Sequence, residues 1–150
     1  NTAAIKNPKF IEQAANIYGS QCIVVSIEAK KTGDNNWEAY VDNGREPTSV
    51  NVIDWAKEAK NLGAGEIFLT SVDRDGTRLG LEEELINEVS KITDLPLVVS
   101  GGFGSLDQIK NLSKNSNIDG VAIGSALHYN KISILKLKAE LSKHNFKVRI

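Results

Sequence analysis

Two glycine-rich turns in this chain have the composition of an anion-binding site. They are Ser100-Gly101-Gly102-Phe103-Gly104 and Gly124-Ser125, and each follows an apolar run and precedes a helical pattern. Glycine lets main-chain N–H groups approach a ligand without a side chain in the way, and a helix N-terminus favours negative charge. Either turn alone reads most simply as an ordinary strand-to-helix connection. Together, on successive loops of one face, they predict a phosphate site.

Two acidic residues near these turns are candidates for chemistry. Glu28 ends an apolar run, where a carboxylate above a packed core is placed to accept or donate a proton. Its alternative role is an ion pair with a neighbouring lysine, Lys30 or Lys31. Asp75 either holds its own loop by accepting hydrogen bonds from backbone amides or contacts the hydroxyls of a substrate. The sequence leaves both roles open for Asp75.

The elements that position these residues follow from hydrophobic patterning. Four compact runs rich in branched residues predict buried parallel strands at 22–27, 66–70, 95–100 and 120–123. Helical patterns separate them. The first helix starts at Asn7-Pro8, ends before Gly19 and has an apolar face made of Phe10, Ile11, Ala14 and Ala15.

Later helices show similar signals. One carries Val52 and Trp55 on its apolar face, another has acidic residues in its first turn at 82–84, and a last one is predicted at 133–144. Ser105 and Gln108 form a capping box for a helix carrying Ile109 and Leu112. The order predicts an α/β fold of repeated βα units, whose strands end at one common rim.

A long excursion at 31–47 interrupts this order after the first strand. Trp37, Tyr40 and Val41 alternate before Asp42-Asn43-Gly44, which predicts a small hairpin at the carboxyl end of the strand. Such a hairpin either covers a site or is a surface decoration.

Composition limits the function classes. The 150 residues, 41% hydrophobic and 25% charged, predict one globular domain over residues 1–150. A net charge of −1 gives no basic face for nucleic acid or an acidic membrane. Cys22 is the single cysteine, which fits a reducing cytoplasm, and we expect neither a signal peptide nor a membrane anchor.

Several segments resemble the cyclase subunits of imidazole glycerol phosphate synthase. The resemblance rests on 63–77, on Val99-Ser100-Gly101-Gly102 and Val148-Arg149-Ile150, and on Asn1-Thr2-Ala3-Ala4 and Asn43-Gly44-Arg45. Members of that family are (β/α)8 TIM barrels, and a chain this short matches only the C-terminal half of such a barrel. The resemblance therefore implies four parallel βα units preceded by a helix. We expect a homodimer of half-barrels to complete the barrel. The alternatives are that the chain is a piece of a longer gene product or that a separate N-terminal half completes the barrel.

The resemblance also implies an activity, that of a lyase of histidine biosynthesis. Such an enzyme uses ammonia from a glutaminase partner to convert a phosphoribulosyl formimino aminoimidazole carboxamide ribotide to imidazole glycerol phosphate and the aminoimidazole ribotide. No metal or organic cofactor is expected. The implied phosphate-binding residues are Asp75, Gly76, Gly101, Gly102, Gly124 and Ser125. Asn1, Thr2, Thr70 and Ser100 match substrate-binding positions, and Glu66 matches a charged ring through which ammonia enters.

Two departures from the family pattern affect the chemistry. The family uses two aspartates as general acid and base; one has no counterpart in this chain, and Glu28 occupies the position of the other. We therefore expect the isolated chain to bind a sugar phosphate but to turn over poorly or not at all. The alternatives are a paralogous enzyme that amidates a surface-polysaccharide sugar and a non-catalytic phosphate-binding half-barrel.

Overall fold

A computed structural model of the chain describes residues 1–109, 118–144, 146 and 148–149. Its helices are α1 (Thr2–Lys6), α2 (Lys9–Tyr18), α3 (Val52–Asn61), α4 (Glu83–Ile92), α5 (Ser125–His128) and α6 (Ile134–Lys143). Its strands are β1 (Val24–Gly33), β2 (Asn36–Val41), β3 (Glu46–Asn51), β4 (Glu66–Ser71), β5 (Leu97–Ser100) and β6 (Gly120–Ala122).

The six strands form one sheet in the order β3-β2-β1-β4-β5-β6. Strands β1, β4, β5 and β6 are parallel, whereas β2 and β3 are antiparallel additions beside β1. All four predicted parallel strands are confirmed. With helices packed on one face, they are half the strands of a (β/α)8 barrel, as the sequence indicates.

One face of this sheet is covered by helices and the other is open. Ile27, Ile67, Leu69 and Val99 are almost fully buried in one cluster with helical residues such as Trp55. The alternating residues of the same strands remain partly exposed, because side chains on neighbouring positions of a strand point to opposite faces. Val24, at 53% exposed, is the clearest example.

Local signals explain where the helices begin and end. The Asn51 side chain accepts hydrogen bonds from Ile53 N (2.8 Å) and Asp54 N (3.2 Å), and α3 begins there. Gly19, with φ of +86°, ends α2 as predicted. Gln108 Oε1 accepts from Ser105 N (3.4 Å), as the capping box predicts, and Leu112 of the same predicted helix lies outside the described residues.

The predicted hairpin is confirmed, but it is part of the sheet. Strand β1 continues to Gly33 and pairs with β2, and β2 turns at 42–45 into β3. Trp37 is 1% exposed because it packs into the main core. The turn at 42–45 returns to the carboxyl end of β1, so it is this turn that reaches the candidate site.

Phe10 belongs to the predicted apolar face of α2 but is not buried. Phe10 is 51% exposed, although Ile11 on the same helix is 2% exposed. The side chain lies beside the open half of β1, where it lines a groove with Tyr18 and Val24. Periodicity identified an apolar helix face, but the described part of the chain supplies no element that covers it.

None of the helices in the described ranges combines the length and apolar character needed to cross a membrane.

Candidate functional site

Parallel pairing aligns three predicted site residues in one row across the sheet. Glu28 pairs with Thr70, and Thr70 pairs with Ser100. All three are half-buried and lie on the face opposite the helices. Thr70 and Ser100 lie at the carboxyl ends of β4 and β5, and Glu28 lies near the end of the part of β1 that pairs with β4. This is the edge of the sheet where (β/α) enzymes hold their substrates. The row gives a polar rim with one carboxylate and two hydroxyls.

The Glu28 carboxylate is held through one of its two oxygens. Oε2 accepts a hydrogen bond from Asn1 Nδ2 at 2.7 Å and another from Gly44 N at 2.9 Å. Oε1 makes no hydrogen bond with the described residues. The alternative of an ion pair with Lys30 or Lys31 is therefore not what the structure contains, since Lys31 Nζ instead pairs with Glu84 Oε2 at 2.7 Å.

Asn1 and Thr2 lie beside this carboxylate. Asn1 Nδ2 also donates to Tyr40 O at 2.9 Å. Because the carboxylate of Glu28 and the carbonyl of Tyr40 can only accept hydrogen bonds, the nitrogen of the Asn1 amide, and not its oxygen, must face them. The Asn1 Oδ1 atom is buried and has no hydrogen-bond partner among the residues that the structure describes. Thr2 Oγ1 accepts from Asp42 N at 3.3 Å. Asn1 thus offers an unused acceptor within the site.

The loop after β4 is fixed by Asp73, a residue that sequence reasoning did not select. Asp73 Oδ2 accepts from Lys31 N at 2.7 Å and so ties this loop to β1. Asp75 is exposed, and its side chain holds no backbone amide of its own loop. Gly76 has φ of +75°, and no atom of the described residues lies within 4 Å of a Cβ added there. Asp75 and Gly76 therefore remain accessible to a ligand.

Gly101 and Gly102 are required by packing of the main chain. A Cβ on Gly101 would lie 2.5 Å from Ser71 O, and one on Gly102 would lie 2.2 Å from Gly80 O. Both residues also have positive φ, +93° and +98°. The glycines let the loop after β4 lie directly on the loop after β5, a role that the sequence reasoning did not assign.

Gly124 differs from those glycines. Its φ of −105° is open to any residue, and a Cβ there would meet nothing within 4 Å. Neither backbone conformation nor packing within the described residues requires a glycine at this position. It immediately precedes Ser125, the first residue of α5. Ser100 pairs with Ala122, so this turn and the Gly101-Gly102 turn are neighbours at the rim.

Glu66 lies at the opposite end of the open face. It pairs with Val24 at the amino ends of β4 and β1. Between this row and the polar rim lies an intermediate row in which Ser26 pairs with Phe68 and Phe68 pairs with Val98. The face therefore has a charged end, a largely apolar middle and a polar rim.

Beside the rim, a cleft of about 420 Å³ contains a half-buried ion pair that the sequence reasoning missed. Arg74 Nε donates to Glu82 Oε2 at 3.1 Å, and Glu82 is 8% exposed. This pair joins the loop after β4 to the start of α4. Among the described residues, no group of three or more His, Cys, Asp or Glu side chains could hold a metal ion.

Comparison with known proteins shows the family of this chain. A model of the histidine biosynthesis protein family matches residues 1–133. The chain is 43% identical over 151 positions to the imidazole glycerol phosphate synthase subunit HisF of Lactococcus lactis, covering 100% of this chain and 58% of that protein. It is 40% identical to HisF of Streptococcus mutans over 99% of this chain and 59% of that protein.

A third relative, HisF of Bacillus cereus, is 42% identical over 100% of this chain and 60% of its own length. The chain thus spans about 60% of the length of the curated relatives that it matches. The similarity runs along the whole chain, including the strands and loops that form the rim. The chain belongs to the histidine biosynthesis protein family.

Proposed function

We propose that this chain is the phosphate-binding half of an imidazole glycerol phosphate synthase cyclase, and that Glu28 is its general acid or base. The observation that carries the proposal is the row Glu28, Thr70 and Ser100 at the carboxyl ends of adjacent parallel strands. The free Oε1 of Glu28 is available for proton transfer. Thr70 and Ser100 supply hydroxyls beside it for the substrate.

The phosphate site in this proposal is built from three loops. Gly124 and Ser125 supply main-chain N–H groups at the start of α5, and Gly101 and Gly102 supply those of the neighbouring loop. Asp75 and Gly76 contribute from the loop after β4. The support is the open space at Gly124, which the described protein atoms do not fill.

Asn1 and Thr2 contact the substrate on the far side of Glu28 in this proposal, and the unpaired Asn1 Oδ1 supports that role. The HisF relatives are subunits of a synthase. We accordingly propose that a glutaminase subunit docks at the Glu66 end of the barrel and delivers ammonia along the open face, whose middle row is apolar. The bound substrate is a ribotide that carries phosphate.

Two copies of the chain complete the barrel in this proposal. The first half of β1 pairs with β4 along one edge. Its other edge has no partner among the described strands, because β2 pairs with β1 only from Glu28 onwards. β6 ends the sheet on the other side. Two unpaired edges on a partly apolar open face favour association of a second copy, with β6 of one copy beside β1 of the other.

The test is a calorimetric titration of the purified chain with glycerol phosphate. We expect saturable binding that Gly124→Ala weakens at least tenfold, because the new methyl group enters the space left for the ligand. Gly33→Ala is the matched control, since its Cβ also reaches open space, 4.0 Å from Asn36 Cβ, and Gly33 is not part of the proposed phosphate site. Equal affinity of Gly124→Ala and wild type would contradict the phosphate site.

A second candidate, binding of a phosphate ester without turnover, is favoured by one observation. Glu28 is the only carboxylate in the polar row of the described strands. General acid–base catalysis contributes about 10² to 10⁴ per positioned group, so one carboxylate supplies only part of the rate. Formation of imidazole glycerol phosphate from the ribotide and ammonium chloride by the isolated chain would reject this candidate.

A further inference from the structure

We propose that the turn at 42–45 positions the Glu28 side chain. The main-chain N–H of Gly44, in this turn, holds the Glu28 carboxylate at the distance from the backbone that a glutamate side chain reaches. This inference rests on the proposed function, since it assigns Oε1 of Glu28 to the substrate. The contact joins the β2–β3 turn to β1 across 16 residues of sequence, with Gly44 N 2.9 Å from Glu28 Oε2.

The backbone of this turn is left-handed at three successive residues. Asp42, Asn43 and Gly44 have consecutive positive φ values of +51°, +58° and +74°. Left-handed conformations cost L-residues about 1 to 2 kcal/mol each, less for Asp and Asn. Turns with successive N–H groups on one side form concavities that bind anions. In this turn one main-chain N–H, that of Gly44, donates to the Glu28 carboxylate, while Asp42 N and Arg45 N donate elsewhere.

Other contacts hold the turn in place. Arg45 Nε donates to Asp42 O at 2.9 Å, and Asp42 N donates to Thr2 Oγ1 at 3.3 Å. A Cβ on Gly44 would lie 2.9 Å from Val72 Cγ2, so the turn also fits against the loop after β4. Glycine is therefore needed at 44 both for its φ and for this approach.

The two donors to the Glu28 carboxylate, Asn1 Nδ2 and Gly44 N, are called the clamp here. The clamp determines which carboxylate oxygen can react. Asn1 Nδ2 and Gly44 N both donate to Oε2, which leaves Oε1 directed away from the clamp. An aspartate at position 28 has one methylene fewer, which withdraws the carboxylate by about 1 Å and takes it out of hydrogen-bond range of both donors. The two donors of this chain therefore fit the length of glutamate, the residue that stands where the family has aspartate.

The first test measures amide hydrogen exchange of Gly44 by NMR in the ¹⁵N-labelled chain. Glu28→Asp should accelerate this exchange about tenfold or more, because the carboxylate acceptor is lost. Glu28→Gln keeps the length and a carbonyl acceptor, so its Gly44 exchange should remain within threefold of wild type. Unchanged exchange in Glu28→Asp would overturn the clamp.

Glu38→Asp is the matched control for that measurement. Glu38 Oε1 accepts from Thr48 N at 2.9 Å and from Ser49 N, so it binds backbone amides of the same hairpin away from the rim. Shortening the Glu38 side chain should accelerate amide exchange at Thr48 and Ser49 and leave the exchange of Gly44 unchanged. Acceleration at Gly44 in this control would mean that the hairpin loosens as a whole, and would overturn the specific contact.

The second test separates positioning from a purely structural role by turnover of the ribotide with ammonium chloride. Gly44→Ala should lower kcat at least tenfold with KM within threefold of wild type, and adding Val72→Ala should restore part of kcat by making room for the new Cβ. An unchanged kcat in Gly44→Ala would overturn the positioning role. Failure of the proposed function gives a different result: no turnover and no glycerol phosphate binding in wild type, with Gly44 exchange still dependent on Glu28.

Discussion

Gly80 N donates a hydrogen bond of 2.8 Å to Gly102 O. The loop after β4 therefore lies across the loop after β5, and the two loops form one surface at the rim. Glycine at 102 allows this approach, because Gly80 O occupies the position that a Cβ would take. The glycines of this region thus build the scaffold on which the proposed phosphate site depends.

We predict that Gly102→Ala destabilises the protein by about 2 to 4 kcal/mol, since the new Cβ meets Gly80 O in a residue with φ of +98°. Urea denaturation followed by circular dichroism measures the loss. Gly124→Ala should leave the free energy of unfolding within about 0.5 kcal/mol of wild type. Similar stability of Gly102→Ala and Gly124→Ala would show that the two loops separate without cost.

Asp73→Ala should release the loop after β4 from β1. The carboxylate of Asp73 is the acceptor for Lys31 N, and its loss leaves that N–H to solvent. We expect faster amide exchange at Lys31 and a destabilisation of about 1 kcal/mol. Asp73→Asn retains an acceptor oxygen and should behave more like wild type. Slow exchange at Lys31 in Asp73→Ala would contradict the assignment.

The ion pair between Lys31 and Glu84 predicts a pH dependence. The hydrogen bond from Lys31 holds the pKa of Glu84 below its ordinary value of 4.5, and the same bond raises the pKa of Lys31. Because the pKa of Glu84 is lowered on folding, its stabilisation is present above 4.5 and is lost as the pH falls through the folded value. Wild type and Glu84→Gln should therefore differ in Tm at pH 6 and converge in acid, and the difference should shrink in high salt. A difference that grows on acidification would contradict this sign.

Association of two copies should appear in sedimentation velocity at micromolar concentration. Phe10 and Tyr18 are 51% and 66% exposed and line the groove beside the open half of β1. Replacing both with serine should shift the dimer towards monomer without unfolding, because neither side chain is in the buried core. Leu135→Ser, at an exposed position on α6, is the control. A compact wild-type monomer at these concentrations would contradict the proposed assembly.

The fold was largely predictable because its signals are local. Branched apolar runs predicted the four parallel strands, and Gly19 marked the end of α2. Phe10 shows the limit of such patterns: an apolar helix face is visible in the sequence, whereas the presence of a neighbour to cover it is not. The extension of β1 to Gly33 depends on pairing with β2, which strand propensity alone does not report.

In the candidate site, too, some features follow from the sequence and others only from the tertiary structure. The sequence by itself determined the residue types at the strand ends, including Glu28, Thr70 and Ser100, since parallel strands must end at one rim. Only the tertiary structure decided that Gly44 and Asn1, 16 and 27 residues from Glu28, hold its carboxylate. It also decided that Asp73, not Asp75, ties the loop after β4 to β1. Periodicity reports which residues a single element buries, but contacts between elements depend on register and on how turns fold back, and these are set only when the sheet assembles.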